Sequence, residues 1–160
     1  MGHIDPQRLV GAWQLERWEI AYGDGTASLP FGPDAAGLLL YTADGWMSAS
    51  IMTAGRARLS RANPRAAPEA ERAAAFDGYF SYCGRWRMDG ESVQHDVTIA
   101  LNPAFVGVPQ VRAVLLQDRT LTLSAEEAGP GGIRVHRLRW RRPGILPRGD
   151  HSSTIEGATP

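Results

Sequence analysis

Short stretches in which branched and aromatic residues alternate with polar ones recur along most of the chain. A period of two between turn residues is typical of β-strands with one buried face. Asp-Gly pairs at 44–45 and 89–90 separate neighbouring stretches and favour tight hairpin turns. The stretches with this pattern are 11–22, 37–42, 46–52, 80–88, 92–101, 110–116, 120–124 and 133–141. Their short spacing predicts an all-β fold, an antiparallel barrel or sandwich of about eight strands.

The first stretch switches its apolar face partway along. Trp13 and Leu15 share one parity, whereas Trp18 and Ile20 share the other. A strand keeps one face buried only if an extra residue or a bend restores the alternation. We therefore expect a bulge near residues 16–17.

One segment has a helical pattern. Residues 68–76 are rich in alanine, Pro68 suits a first helical turn, and Glu69 and Glu71 lie near the positive end of the helix dipole. A short helix between strands is predicted, ending at Asp77-Gly78. We expect residues 55–67, with four arginines, to form a mobile arm before it.

Length and composition predict one domain, which we place at residues 1–142. The Pro-, Gly-, Ser- and Thr-rich residues 143–160 are expected to form a disordered tail. All 17 basic residues are arginine and are balanced by 17 acidic residues. Lysine-based covalent catalysis is therefore excluded, and a general nucleic-acid binder is not expected.

The start of the chain lacks the basic segment and apolar core of a signal peptide, and no apolar run approaches the ~20 residues that span a bilayer. These features predict a cytoplasmic protein without a membrane partner. Cys83 is the only cysteine, so a multi-cysteine zinc site is excluded. The histidines form no metal-ligand motif and no phosphate-binding glycine motif precedes a helix, so we expect neither metal nor cofactor.

Strand parity also indicates which side chains face the inside of a barrel. His95 alternates with polar residues and shares its face with Val93, Val97 and Ile99. Gly84 would leave space between the aromatic rings of its own strand. We expect the remaining interior to include Tyr41, Trp46, Ser48, Ser50, Tyr82, Trp86, His136 and Trp140. Such a lining either packs as a core or encloses one small ligand.

The connection 101–110 is long for a hairpin and mixes Asn102, prolines and glycine with Phe105. Loops at a barrel mouth often contact ligands, so both residues are candidates for ligand binding. Arg112 follows, on the parity opposite to Val111 and Leu115. A solvated strand arginine is the favoured interpretation, and an anion clamp is the alternative.

Several of these motifs, in the same order, resemble bacterial proteins of the lipocalin-like domain family. The motifs are Leu9-Val-Gly-Ala-Trp13, Gly37-Leu-Leu-Leu-Tyr41-Thr42, Asp44-Gly45, Met47-Ser48-Ala49, Tyr79-Phe80, Tyr82, Gly84, His95, Val97, Asn102-Pro103, Gly107, Gln110-Val111-Arg112 and Leu121-Thr122-Leu123-Ser124. The resemblance implies a small antiparallel β-barrel around a pocket for an apolar molecule. Family members in natural-product pathways are often cyclases or isomerases, although a fold alone does not determine function.

Our leading hypothesis is a cofactor-free cyclase or isomerase that holds a hydrophobic biosynthetic intermediate in a reactive conformation. His95 is the candidate general acid or base, and Tyr82 or Tyr41 would donate a hydrogen bond to a carbonyl group. The candidate substrate-binding residues are Tyr41, Trp46, Ser48, Trp86, Asn102, Phe105, His136 and Trp140. A carrier with the same cavity, or an interaction module with a filled barrel, are the alternatives. A homodimer is possible.

Overall fold

The computed structural model describes residues 4–144, which form nine strands, one α-helix and three short 3-10 turns. The strands are β1 (Gly11–Tyr22), β2 (Ala27–Ser28), β3 (Ala36–Tyr41), β4 (Trp46–Met52), β5 (Tyr79–Asp89), β6 (Ser92–Ala100), β7 (Pro109–Gln117), β8 (Thr120–Gly129) and β9 (Gly132–Arg141). The helix α1 is Glu69–Asp77, and the 3-10 turns are Pro6–Arg8, Pro64–Ala66 and Pro103–Phe105. The predicted disordered tail lies outside the described residues from position 145 onward.

Eight of the strands close into an antiparallel barrel. Each pairs with the next along the chain from β3 to β9, and β1 pairs with both β3 and β9. The two-residue β2 pairs with the far end of β1 and stands outside the ring. The prediction of an all-β barrel of about eight strands with one short helix is confirmed. Closure leaves the inward residues of all eight strands around one interior.

A bulge interrupts β1 where the sequence predicts one. The pairing with β9 shifts between Leu15 and Arg17, so that Glu16 is the extra residue. Trp13 and Trp18 can therefore both turn toward the interior despite their opposite parity. The Glu16 carboxylate faces outward and pairs with Arg139 and Arg141 on β9.

A second bulge lies in β6 and corrects one prediction. Cys83 pairs with Ile99 and Gly84 with Val97, which leaves Thr98 unpaired. The extra residue turns Ile99 outward, where it is 67% exposed rather than part of the interior. Gly84 was predicted to leave space between aromatic rings. The structure shows another need for glycine at this position, because a Cβ there would overlap the main-chain carbonyl oxygen of Asp96.

The end of the barrel that carries the β3–β4, β5–β6 and β7–β8 turns is packed shut. Leu9 and Trp13 are completely buried there, and the Trp13 indole donates to the Leu9 carbonyl at 2.8 Å. The Arg142 guanidinium lies 3.8 Å from the Trp13 ring centre and donates to the Arg8 carbonyl. Access to the interior is therefore from the opposite end.

The helix α1 joins β4 to β5 as predicted and ends where the Gly78 amide donates to the Ala74 carbonyl at 3.1 Å. The segment predicted to be a mobile arm contacts this helix: Arg56 donates to the Ala75 carbonyl, and the Ser60 amide donates to Glu71. Within residues 4–144, no helix has the length and apolar character needed to cross a membrane.

Candidate functional site

A cavity of about 260 Å³ opens into the barrel from the end opposite Trp13. Its apolar wall is formed by Trp18, Leu39, Ala49, Ile51, Phe80, Phe105, Leu123, Ala125, Leu138 and Trp140. Its polar side chains are Tyr82, His95, Gln110, Arg112, Glu126, Glu127 and His136. A larger open groove of about 850 Å³ beside Ala36, Met52 and Tyr79 has no charged side chain in its described lining. The interior cavity therefore combines enclosure with chemical groups.

His95 lies between two phenols in the buried wall of this cavity. Its Nε2 atom is 2.7 Å from the Tyr41 hydroxyl, and its Nδ1 atom is 2.8 Å from the Tyr82 hydroxyl. All three side chains are at most 5% exposed. Tyr82 and His95 line the cavity, whereas Tyr41 lies behind His95. The histidine is thus held on both sides by hydrogen bonds.

The hydrogen-bond network assigns the histidine tautomer. The Tyr41 hydroxyl has no partner other than His95 within residues 4–144, so its proton is satisfied by donation to Nε2. Nδ1 then carries the imidazole proton and donates to the Tyr82 oxygen. Since the Tyr82 oxygen accepts this bond, its own proton is free to donate into the cavity.

The electrostatic environment keeps these three groups uncharged. Burial, with the nearby Arg112 charge, lowers the pKa of His95 to about 3, which the Asp96 carboxylate only partly opposes. Burial raises the pKa of Tyr82, against the charge and hydrogen bonding of Arg112, and raises that of Tyr41 further. At neutral pH the network therefore holds a neutral imidazole and two neutral phenols.

Arg112 points into the barrel, which corrects the favoured interpretation of a solvated strand arginine. On β7 the inward positions are Gln110, Arg112 and Val114, while Val111 and Leu115 are more than half exposed. The Arg112 guanidinium donates to the Gln110 amide oxygen at 3.1 Å and to the Val111 carbonyl at 2.9 Å. No acidic side chain among the described residues forms an ion pair with Arg112.

The mouth of the cavity carries a second polar chain. The Trp18 indole donates to His136 Nδ1 at 3.3 Å, so His136 Nε2 donates to Glu127, 2.8 Å away. Arg134 also pairs with Glu127 at 2.9 Å, and its hydrogen bond, followed by that of His136, lowers the pKa of this carboxyl group. The opposite charges of Arg134 and Glu127 at this part of the rim therefore balance each other.

Trp140 lies at the inner part of the cavity wall, where it is 1% exposed. Its indole Nε1 is the one fully buried side-chain nitrogen or oxygen within residues 4–144 that has no hydrogen-bond partner. Leaving such a donor unsatisfied costs about 1–3 kcal/mol. Because Nε1 itself has almost no accessible surface, it destabilises the folded state and does not offer a contact to a ligand in the cavity.

Five of the ten sequence-predicted site residues line the cavity: Tyr82, His95, Phe105, His136 and Trp140. Phe105 packs edge-on against Phe80, with ring centres 5.8 Å apart. Tyr41 contributes through His95 rather than through the cavity surface. Whether any of these residues contacts a ligand stays a prediction.

The predicted interior face of β4 is wrong. Its buried residues are Met47, Ala49 and Ile51. The alternating residues that face outward are Trp46, Ser48, Ser50 and Met52. Trp46 is 49% exposed, and the Arg85 guanidinium covers its ring at 4.5 Å. Trp46 and Ser48 therefore do not line the cavity.

Trp86 and Asn102 also lie away from the cavity lining. Trp86 packs on Tyr41, with ring centres 4.7 Å apart, and its indole donates to the Thr42 carbonyl toward the packed end. The Asn102 side chain accepts from the Ala104 amide and caps the 3-10 turn Pro103–Phe105. Neither residue is therefore in the described cavity lining, and a contact of either with a ligand stays a prediction.

Sequence reasoning missed Trp18, Phe80, Gln110 and Arg112 as lining residues. Trp18 was visible through the parity switch in β1, and Phe80 shares the face of Tyr82. In β7 the polar residues face inward and Val111 and Leu115 face outward, which reverses the usual rule. No pattern in that strand indicates the reversal.

The comparison with protein families agrees with this architecture. A family model described as a lipocalin-like domain matches residues 10–143. A lipocalin-like protein from Bacteroides uniformis is 16% identical with a TM-score of 0.45, over 84% of this chain and 97% of that one. A protein from Bacteroides eggerthii is 15% identical with a TM-score of 0.41, over 82% of this chain and 98% of that one. Among curated proteins, no sequence matches this chain.

Proposed function

Since the chain belongs to the lipocalin-like domain family, we propose that it binds one small, largely apolar molecule inside its barrel. The observation that supports this proposal best is the open cavity of about 260 Å³ within a closed barrel. Eight-stranded barrels either fill with side chains or hold a small ligand, and this one leaves space. The packed end at Trp13 makes the cavity a blind pocket.

The lining favours a compact ligand with an aromatic or branched apolar body. The rings of Trp18, Phe80 and Phe105 stand near the mouth, where the Trp18–Phe80 and Phe80–Phe105 ring centres are 5.6 and 5.8 Å apart, as is typical of tilted and edge-on packing. Burial of an apolar body contributes about 25 cal/mol for each Å² removed from water. Polar groups on one side of the cavity would orient the ligand.

Calorimetric titration with naphthalenemethanol tests this proposal. Ala125 lines the cavity, so Ala125→Phe would fill part of it. Ala113 faces outward on the neighbouring strand, so Ala113→Phe adds the same ring without entering the cavity. We expect Ala125→Phe to lose at least tenfold in affinity and Ala113→Phe to bind like the wild type. Equal binding by all three proteins, or none by the wild type, would contradict the proposal.

A second candidate function is the cofactor-free cyclisation or isomerisation of the bound molecule. The buried chain Tyr41–His95–Tyr82 supports it, because Tyr82 keeps a free proton beside the Arg112 charge. These two groups would polarise a ligand carbonyl as hydrogen-bond donors, in the manner of an oxyanion site. With a pKa of about 3, His95 is too weakly basic near neutral pH to serve as an effective general base. We assign it a positioning role.

The catalytic candidate is tested with the linear intermediate made by neighbouring biosynthetic genes. If the protein converts the intermediate no faster than buffer does, the catalytic candidate is wrong and the protein is a carrier. If conversion occurs, Tyr82→Phe should lower kcat by about 10²-fold or more, as expected for loss of one oxyanion donor. Tyr22→Phe, which removes an exposed hydroxyl outside the cavity lining, should leave kcat unchanged.

A further inference from the structure

The inner polar groups of the cavity are mainly hydrogen-bond donors without acceptors. Arg112 hydrogen-bonds only uncharged oxygens, those of Gln110, Val111 and Tyr82, although its guanidinium carries five N–H groups. The Tyr82 proton is free once His95 donates to Tyr82. A molecule that satisfies both groups must bring acceptor oxygens.

The charge around Arg112 is not balanced inside the cavity. Arg112 is partly buried, and no acidic residue in the part of the chain that the structure describes pairs with it. Glu127 is engaged by Arg134 and His136, and Glu126 is an exposed rim residue. A partly buried cation without a counter-ion is costly, and a ligand anion would remove that cost.

We propose that the cavity recognises a carboxylate on its apolar ligand through the Arg112 guanidinium, with Tyr82 as an additional donor. The inference rests on the proposed small-molecule binding and names the class of ligand. The planar fork of an arginine matches a carboxylate and binds it with two parallel hydrogen bonds. One arginine, with no second arginine or lysine in the described cavity lining, matches a single negative charge better than a doubly charged phosphate.

The experiment compares naphthoate with naphthalenemethanol, which share the ring system and differ in the carboxylate. Calorimetry on the full chain at neutral pH gives the two affinities for the wild type, Arg112→Met and Arg139→Met. Methionine replaces the arginine stem by an apolar chain. Arg139 is an outward residue of β9 that pairs with Glu16, so its variant removes the same charge outside the cavity.

We expect the wild type to bind naphthoate more tightly than naphthalenemethanol. Arg112→Met should weaken naphthoate binding by about 10- to 100-fold, the range for a hydrogen bond to a charged group. Its affinity for naphthalenemethanol should stay within about twofold, and Arg139→Met should match the wild type for both probes. Retained binding of naphthalenemethanol also shows that Arg112→Met is folded.

Failure of this inference can be distinguished from failure of the proposed function. If naphthalenemethanol binds in the cavity while naphthoate binds no better and Arg112→Met changes neither affinity, the carboxylate assignment is wrong and the apolar site stands. If the wild type binds neither probe, the proposed function fails and the inference fails with it. If Arg112→Met and Arg139→Met lose naphthoate affinity equally, the effect comes from the net charge of the protein, and the assignment to Arg112 is also wrong.

Discussion

The Nε2 atom of His95 lies 2.7 Å from the Tyr41 hydroxyl, and each side chain is only 1% exposed. This hydrogen bond connects the packed part of the barrel to the cavity, because the opposite imidazole nitrogen reaches Tyr82 on the cavity wall. Tyr41 thereby fixes the tautomer of His95 and leaves the Tyr82 proton available to a ligand. A residue outside the cavity lining thus controls which group the cavity presents.

The buried neutral state of His95 predicts a pH-dependent stability. The unfolded chain takes up a proton at this side chain below pH 6.5, whereas the folded chain does so only near pH 3. Stability should therefore fall on acidification between these values, by about 2 kcal/mol from His95 alone between pH 7.5 and pH 5. Urea denaturation at a series of pH values measures this slope.

Two glutamine variants separate His95 from the other described histidine. His95→Gln should abolish most of the slope, although it lowers stability at neutral pH. His136→Gln should retain the slope, because His136 lies at the mouth rather than in the buried network. A wild-type protein whose stability is constant from pH 7.5 to pH 5 would refute the buried neutral imidazole.

Loss of the Tyr41 hydroxyl should destabilise the protein. Tyr41→Phe leaves the buried imidazole Nε2 without its donor, at a cost of about 1–3 kcal/mol. Tyr22→Phe removes a hydroxyl that hydrogen-bonds Ser28 in an exposed position, so it should cost well under 1 kcal/mol by the same principle. The free energies of unfolding in urea compare the two variants. Equal losses would contradict the assigned network.

The two fully buried tryptophans Trp13 and Trp140 should respond differently to replacement by phenylalanine. Trp13→Phe loses both volume and the hydrogen bond to the Leu9 carbonyl, whereas Trp140→Phe loses volume and an unsatisfied donor. We expect Trp140→Phe to be less destabilising by about 1–3 kcal/mol. Thermal or urea unfolding without ligand measures the difference, and a more destabilised Trp140→Phe would show that Nε1 has a partner.

Gly84 should not tolerate alanine. The added methyl group would overlap the Asp96 carbonyl and approach the Thr98 amide at 3.1 Å, so the β6 bulge would have to move. We expect Gly84→Ala to cost about 3 kcal/mol or more, at the upper end of overpacking effects. Gly131→Ala, in a turn with open space around it, should be nearly neutral. Similar unfolding midpoints for the two variants would contradict the described packing.

Hydrophobic alternation predicted the barrel and one of its two bulges. In β1 the parity switch between Leu15 and Trp18 is visible because large apolar residues lie on both sides of it. In β6 the order Val97-Thr98-Ile99 continues the alternation through the bulge, so nothing in the sequence separates the buried Val97 from the exposed Ile99. The position of a bulge decides which side chains of a strand face the interior. The sequence reveals a bulge only when large apolar residues on its two sides have opposite parity.

The candidate site was predicted only in part for a related reason. His95 was found because it shares its strand face with Val93 and Val97, which both face inward. Arg112 was judged by polarity, although its strand places arginine inside and Val111 outside. Because the cavity contains polar groups, β7 could fold with either of its faces toward the interior. The pairing of β7 with β6 and β8, rather than residue type, therefore sets which of its side chains enter the barrel.

A crystal structure of the protein with naphthalenemethanol would show whether the barrel interior is a ligand site. We expect density for one naphthalene ring system inside the cavity, in contact with Phe105 and Leu138, with its hydroxyl toward Tyr82. An interior filled by rearranged side chains, with the probe absent or bound only to the outer surface, would contradict it.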